Sequence, residues 1–144
     1  MNDTPTIRLL GPRDIAVLDD VAEDVFDEDI NPRWTAEFLN DPRHHMVVAL
    51  LGNHVIGMAS AVHYVHPDKP PELWVNEIGV TPAYRQRGIG KQLIAALFSR
   101  GRELGCKEAW LGTEESNTAA RQLYASVGGV AQSMVYFTFD LDRL

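Results

Sequence analysis

One cysteine, Cys106, is present in 144 residues. A lone thiol excludes an intramolecular disulfide framework and a cysteine-rich zinc cluster, and no metal is expected. Apolar runs are strand-length, far short of the roughly 20 residues a membrane-spanning helix needs. Positive charge is also scarce: 13 Lys and Arg stand against 20 Asp and Glu, a net charge of −7. Neutralising nucleic-acid phosphates takes a broad basic face, so no nucleic-acid partner is expected, whereas a cationic small molecule suits the balance. The opening "MNDTPTIRLLGPRD" lacks the apolar segment of a signal peptide, and no repeat, linker or low-complexity stretch follows. The expectation is one domain over residues 1–144, cytoplasmic and without membrane contact, its core drawn from a chain that is 45% hydrophobic.

Periodicity predicts the elements. "TIRLL" (6–10) reads as a strand, and Gly11-Pro12 opens a predicted helix with Ile15, Leu18, Val21, Ala22, Val25 and Phe26 at helical spacing. Pro32 begins a second helix, ended by "NDP" at 40–42. "HHMVVALL" (44–51) and "VIGMASAVHYV" (55–65) flank Gly52-Asn53 as a hairpin. "LWVNEIGV" (73–80) is the next strand. A helix over 88–104 carries Leu93, Ile94, Leu97 and Phe98 on one stripe. A strand (107–113), a helix (117–127) and a closing strand, "QSMVYFTFDL" (132–141), complete a mixed α/β order. Met46, Met58 and Met134 lie in the strand runs and read as core fillers.

Against its acidic background the chain gathers Arg85, Arg87 and Lys91 around Gly88 and Gly90, in "TPAYRQRGIGKQL" (81–93). This stretch joins a predicted strand to a predicted helix N-terminus, where free backbone amides and the helix dipole favour an anion. Glycines let the backbone approach that anion closely, and the arginines add bidentate donors, so a phosphate site follows. A P-loop is excluded by Arg85 at its first glycine position and Gln92 at its Ser/Thr position; a dinucleotide fingerprint is excluded by Leu93 at the third glycine.

Arg85-Gln86-Arg87-Gly88-Ile89-Gly90 resembles the acetyl-CoA loop of the GCN5-related N-acetyltransferase (GNAT) family, Arg/Gln-x-x-Gly-x-Gly/Ala. "NTAARQLYASVGG" (117–129) resembles that family's Asn-x-x-Ala-x-x-Leu-Tyr-x-x-x-Gly helix at the usual separation. The resemblance implies the GNAT fold, an α/β architecture whose mixed central sheet has splayed central strands flanked by about four helices. It implies acetyl-CoA as cosubstrate. Backbone amides of Arg85, Gln86, Arg87, Gly88, Ile89, Gly90 and Lys91 would hold the pyrophosphate, and main-chain groups of Ile78, Gly79 and Val80 would pair with the pantetheine. Asn117 would touch the CoA arm, and Tyr124 would protonate the departing thiolate.

An attacking amine must shed a proton, which calls for a base or a water relay. Glu77 is the first candidate and Glu72 the reserve; an amide near Val80 would stabilise the oxyanion. Residues 19–29, "DDVAEDVFDED", carry seven carboxylates. Most read as a solvated helix face, while Asp27, Glu28 and Asp29, beyond the regular stripe, join Glu72 and Glu77 as candidates for holding a cationic acceptor.

The first half further resembles the small aminoglycoside 3-N-acetyltransferases of this superfamily, through the Phe before an acidic loop, Tyr64-Val65-x-Pro67 and the proline-containing loop into Glu72. That resemblance implies aminoglycoside acetylation and antibiotic resistance. Polyamine or protein acetylation, and a noncatalytic acyl-CoA sensor, stay open beside it. The apolar closing strand and the resemblance together imply a homodimer. His63 and His66, whose spacing on a strand sends them to opposite faces, read as no metal site, and Cys106 reads as a small buried residue rather than a nucleophile.

Overall fold

The computed structural model describes residues 4–144, in two compact units that divide after Gly112. The first unit is built on a five-stranded mixed sheet in the order β1-β2-β3-β4-β5: β1 (Thr6–Leu9), β2 (His44–Leu51), β3 (His54–Tyr64), β4 (Glu72–Val80) and β5 (Glu108–Trp110). The first four strands pair antiparallel, and β4 pairs parallel with β5. Its helices are α1 (Pro32–Asn40) and α2 (Ile89–Glu103); the second unit holds α3 (Thr118–Ser126).

Both sheet faces are buried, because β2 and β3 are apolar at successive positions rather than alternate ones. Ala59, Ala61, Leu73 and Val75 form one core with Leu93 and Leu97 of α2. Met46, Val48, Val55 and Met58 form the other with Leu18, Val25 and Leu39. Burying a leucine or methionine side chain of this kind contributes about 2 kcal/mol, and Met58, Leu93 and Leu97 are almost wholly enclosed. Asn31 caps α1 by accepting from the amides of Arg33 and Trp34, and Pro32 occupies its first turn.

Two expectations fail. The helix predicted from Gly11-Pro12 to Phe26 survives only as a 3-10 turn, Ile15–Asp19. Beyond it the backbone is captured by β3: Val55 donates to the Asp20 carbonyl at 2.9 Å and accepts from Ala22 at 2.8 Å, and Asp24 then takes a positive φ. Leu18 and Val25 are still buried, because a helix and an irregular chain can seat the same apolar residues. The closing strand over 132–141 is also absent. The sheet takes no strand from residues 113–144, and Met134, Val135, Tyr136, Phe137 and Phe139 are exposed, Phe137 at 74%. Met134 is therefore not a core filler. Strand propensity needs a neighbouring strand to act on, and residues 113–144 contain no other strand.

Candidate active site

The site begins with a strand that loses a neighbour. β4 is paired with β5 only over Glu72–Trp74, whereas its pairing with β3 continues to Val80. From Val75 onward one edge of β4 is therefore open within the sheet. The amide of Thr81 donates to the Ile56 carbonyl at 2.9 Å. In an antiparallel ladder bonded and non-bonded pairs alternate, so Val80 and Ile78 turn their amides away from β3, toward the open edge. The Val80 carbonyl on that edge accepts from Arg85 Nε at 2.8 Å.

The chain then passes through a 3-10 turn at Pro82–Tyr84 into the glycine loop. Gln86 has φ +61° and Gly88 φ +79°, and Gly88 is the N-cap of α2 with no side chain capping it. The first bond of the helix runs from Gln92 N–H to the Gly88 carbonyl. The amides of Ile89, Gly90 and Lys91 precede it and have no acceptor within the helix. Gly88 is exposed, and a Cβ added there would meet nothing within 4 Å, so the backbone at the helix start is open at this point. The guanidinium of Arg87 lies 5.0 Å from the Tyr84 ring centre, a cation–π contact that tethers one cation beside the loop. Arg85 is tied to Val80 through Nε, which leaves its terminal nitrogens for a ligand.

Glu77 lies on the opposite side of the sheet from α2. A register shift between Ser60 and Ala61 pairs them with Glu77 and Val75, leaving Asn76 as an extra residue. This bulge puts Glu77 on the same face as Trp74 and Glu72, where simple alternation would have opposed Glu77 to Trp74. On that face the Val25 carbonyl presses against Gly79 so closely that an added Cβ would fall 2.1 Å from it. Asp27 is thereby carried to Glu77. Partial desolvation pushes the Glu77 carboxyl above the usual range, and the Asp27 charge pushes it the same way, although the side chain itself remains open to solvent. Glu28 and Asp29 are exposed beside Asp27. Glu72 sits at the other end of β4, about 25 Å of extended strand from Val80. Its carboxylate lies 3.6 Å from His66 Nε2 rather than near Glu77.

Asn117 and Tyr124 belong to the second unit. Asn117 caps α3, its Oδ1 accepting from the Ala120 amide at 3.1 Å, which leaves the amide NH2 of its side chain for other work. Tyr124 is half-buried, and burial raises its phenol further above neutrality, so it is held protonated.

His63 turns to His45, Nδ1 to Nε2 at 2.8 Å, while His66 turns to Tyr64 and Glu72. Among the described residues no three His, Cys, Asp or Glu side chains converge as a metal site. Cys106 is buried, and burial pushes its thiol up, away from the reactive thiolate. The stacked pair Trp74 and Trp110, with ring centres 4.8 Å apart, was not anticipated from sequence. Its only signal there is a tryptophan in each of two strand-length runs, with nothing to say that the two strands are neighbours.

The family profile described as "Acetyltransferase (GNAT) family" matches residues 15–128, and this chain belongs to that family. Among curated relatives, the aminoglycoside N(6')-acetyltransferase type 1 of Salmonella typhimurium is 34% identical over 94 residues, covering 62% of this chain and 65% of the relative. The N-alpha-acetyltransferase RimI of Mycobacterium tuberculosis is 38% identical over 62% of this chain and 54% of its own. The chain thus spans 65% and 54% of the lengths of these relatives. Among solved structures, AAC(6')-Iy in complex with the bisubstrate analog CoA-S-monomethyl-acetylneamine superposes with a TM-score of 0.79, at 25% identity over 94% of this chain and 97% of the other. An aminoglycoside acetyltransferase, meta-AAC0020, from an uncultured soil metagenomic sample, in complex with sisomicin, gives 0.81 at 20% identity over 96% and 97%, a likeness of fold. The Salmonella relative and AAC(6')-Iy are both 6'-acetyltransferases by name, which corrects the 3-N expectation.

Proposed function

We propose that this chain is an acetyl-CoA-dependent N-acetyltransferase that moves an acetyl group directly to a primary amine of a small cationic acceptor, an aminoglycoside being one such molecule. The observation that carries this reading is the open edge of β4, with the amides of Ile78 and Val80 turned outward, running directly into the uncapped amides of α2. An extended amide-bearing arm ending in a pyrophosphate fits that continuous line of donors, the arm as an added strand along Ile78, Gly79 and Val80 and the pyrophosphate on Arg85 to Lys91. The match of the family profile across both units supports treating residues 1–144 as one acetyltransferase domain.

Asp27 and Glu77 supply the negative field that draws a protonated amine in. Glu77, with its raised carboxyl, then accepts a proton, directly or through water, and the neutral nitrogen attacks the thioester carbon. The Val80 amide donates to the developing oxyanion. The N–C bond forms first, the nitrogen gives its second proton to water, and the oxyanion collapses with cleavage of the C–S bond as the Tyr124 phenol protonates the leaving sulfur before regaining a proton from solvent. Glu28 and Asp29 extend the acidic rim, and Asn117 contributes its side-chain amide to the CoA arm. Where acetyl-CoA is made and consumed, the cytoplasm, is the proposed location; no helix among the described residues is long and apolar enough to cross a membrane.

Thiol release from acetyl-CoA with aminoglycosides, polyamines and lysine peptides tests the reading. Tyr124→Phe and Glu77→Gln are each expected to lower kcat by about 10²-fold, typical for removing an acid or base, and Glu77→Gln to abolish the acidic limb of the pH–rate profile. Acetyl-CoA binding with no thiol release from any amine overturns transfer in favour of a sensor. We propose a homodimer as well, because an apolar exposed segment such as 130–141 marks an interaction surface, and a second copy offers the strand partner it lacks. Sedimentation at the monomer mass refutes this.

A further inference from the structure

Trp74, Trp110, Tyr64, His66 and Glu72 form a connected cluster that belongs to neither core. Leu73 and Val75 point into the core under α2, so Trp74 and Glu72 face the other way, onto the face that carries Glu77. Trp74 and Trp110 are register partners in β4 and β5, their rings 9° from parallel. Tyr64 is paired with Glu72 across β3 and β4, and the His66 ring meets it edge-on at 5.5 Å. Glu72 lies close enough to the Tyr64 hydroxyl for its charge to act on it, and the Trp110 indole N–H is within reach to donate to the same oxygen. His66 Nε2, 3.6 Å from Glu72, is buried without a hydrogen-bond partner.

All of these aromatic side chains, and Glu72, keep part of their surface in solvent. Partly exposed aromatic bodies around one carboxylate attract an organic cation twice over, through the ring faces and edges and through the charge. The extended rise of β4 sets this cluster about 10 Å from Glu77 at Trp74 and about 15 Å at Glu72.

We propose that Trp74, Trp110 and Glu72 form a second cation subsite, which holds an ammonium group of the acceptor about 10–15 Å from the amine presented at Glu77. This deepens the acetyltransferase reading and rests on it for the role of Glu77. The acceptor class it selects is a multiply charged amine long enough to touch both places, in preference to a short monoamine or diamine.

The test uses the full chain carrying Trp34→Phe, which leaves Trp74 and Trp110 as the fluorescent tryptophans. Spermine, titrated without acetyl-CoA, is expected to change their emission saturably, and Glu72→Gln or Trp110→Leu to weaken that binding about tenfold, the order a single desolvated cation contact contributes. n-Butylamine is expected to leave the emission unchanged at the same concentrations. In turnover, Glu72→Gln is expected to raise KM for spermine about tenfold relative to its effect on KM for n-butylamine. Retained near-ultraviolet dichroism of the tryptophan pair in Glu72→Gln shows that the cluster still folds. The proposal is overturned if spermine leaves the fluorescence unchanged, or if Glu72→Gln affects spermine and n-butylamine equally. Because the titration needs no turnover, a failure of acetyl transfer and a failure of this subsite register separately.

Discussion

Gly79→Ala should disable the acceptor side of the site while sparing the cofactor side. The new Cβ would stand 2.1 Å from the Val25 oxygen and 3.0 Å from the Val25 carbonyl carbon, both backbone atoms that no rotamer change can move. Restoring van der Waals separation requires the loop to retreat by about 1 Å or more. Val25 is buried in the core formed with Leu18, Val55 and Met58, so the retreat strains a packed cluster. Overpacking of this kind costs about 1–3 kcal/mol, read as a lower urea midpoint. Asp27 follows two residues later and moves with Val25. Its repulsion of the Glu77 carboxylate weakens, and the acidic limb of the pH–rate profile shifts to lower pH. A displacement of about 1 Å in a group that positions substrate lowers kcat/KM for the amine by up to about 10²-fold. Gly79 directs its own amide toward β3, because it lies between the outward-turned Ile78 and Val80, so KM for acetyl-CoA should change little. An unchanged urea midpoint together with an unchanged acidic limb refutes the seating of the loop on β4.

Gly88→Ala meets open space, so its effect is confined to holding φ +79° with a side chain: about 1–2 kcal/mol of stability and a raised KM for acetyl-CoA, both partly relieved in Gly88→Asn. Urea titration and initial rates check this, and an equal loss in both variants contradicts the left-handed requirement. Burial, then the neighbouring His63 and Arg100, push His45 down to about 4. The unfolded chain takes up this proton near pH 6.5 and the folded chain does not. The contribution is therefore complete above about pH 6.5 and lost as pH falls toward 4, up to about 3 kcal/mol. Urea midpoints across that interval should fall in the wild type and much less in His45→Asn.

Much of the fold could be read from residue order because it is local. The spacing of apolar residues places β2, β3, β4, α2 and α3 to within a residue or two, Gly52-Asn53 turns the hairpin, and Asn31-Pro32 starts α1. The first helix and the last strand were misread for one reason. Each depends on what lies beside it: Val55 takes the backbone of Asp20 and Ala22 out of a helix, and residues 132–141 have no second strand within their own unit.

The same division runs through the site. Order along the chain alone determined the glycine loop, its cations and the uncapped helix start, since strand, turn and helix follow one another there within a few residues. Only tertiary structure decided that β5 leaves β4 after Trp74, which opens the edge carrying Ile78 and Val80. It alone decided that the Asn76 bulge turns Glu77 onto the face of Trp74, and that Val25 resting on Gly79 carries Asp27 to Glu77. Pairing, bulging and close approach are relations between segments distant in sequence, set by hydrogen bonds and packing that no local pattern encodes.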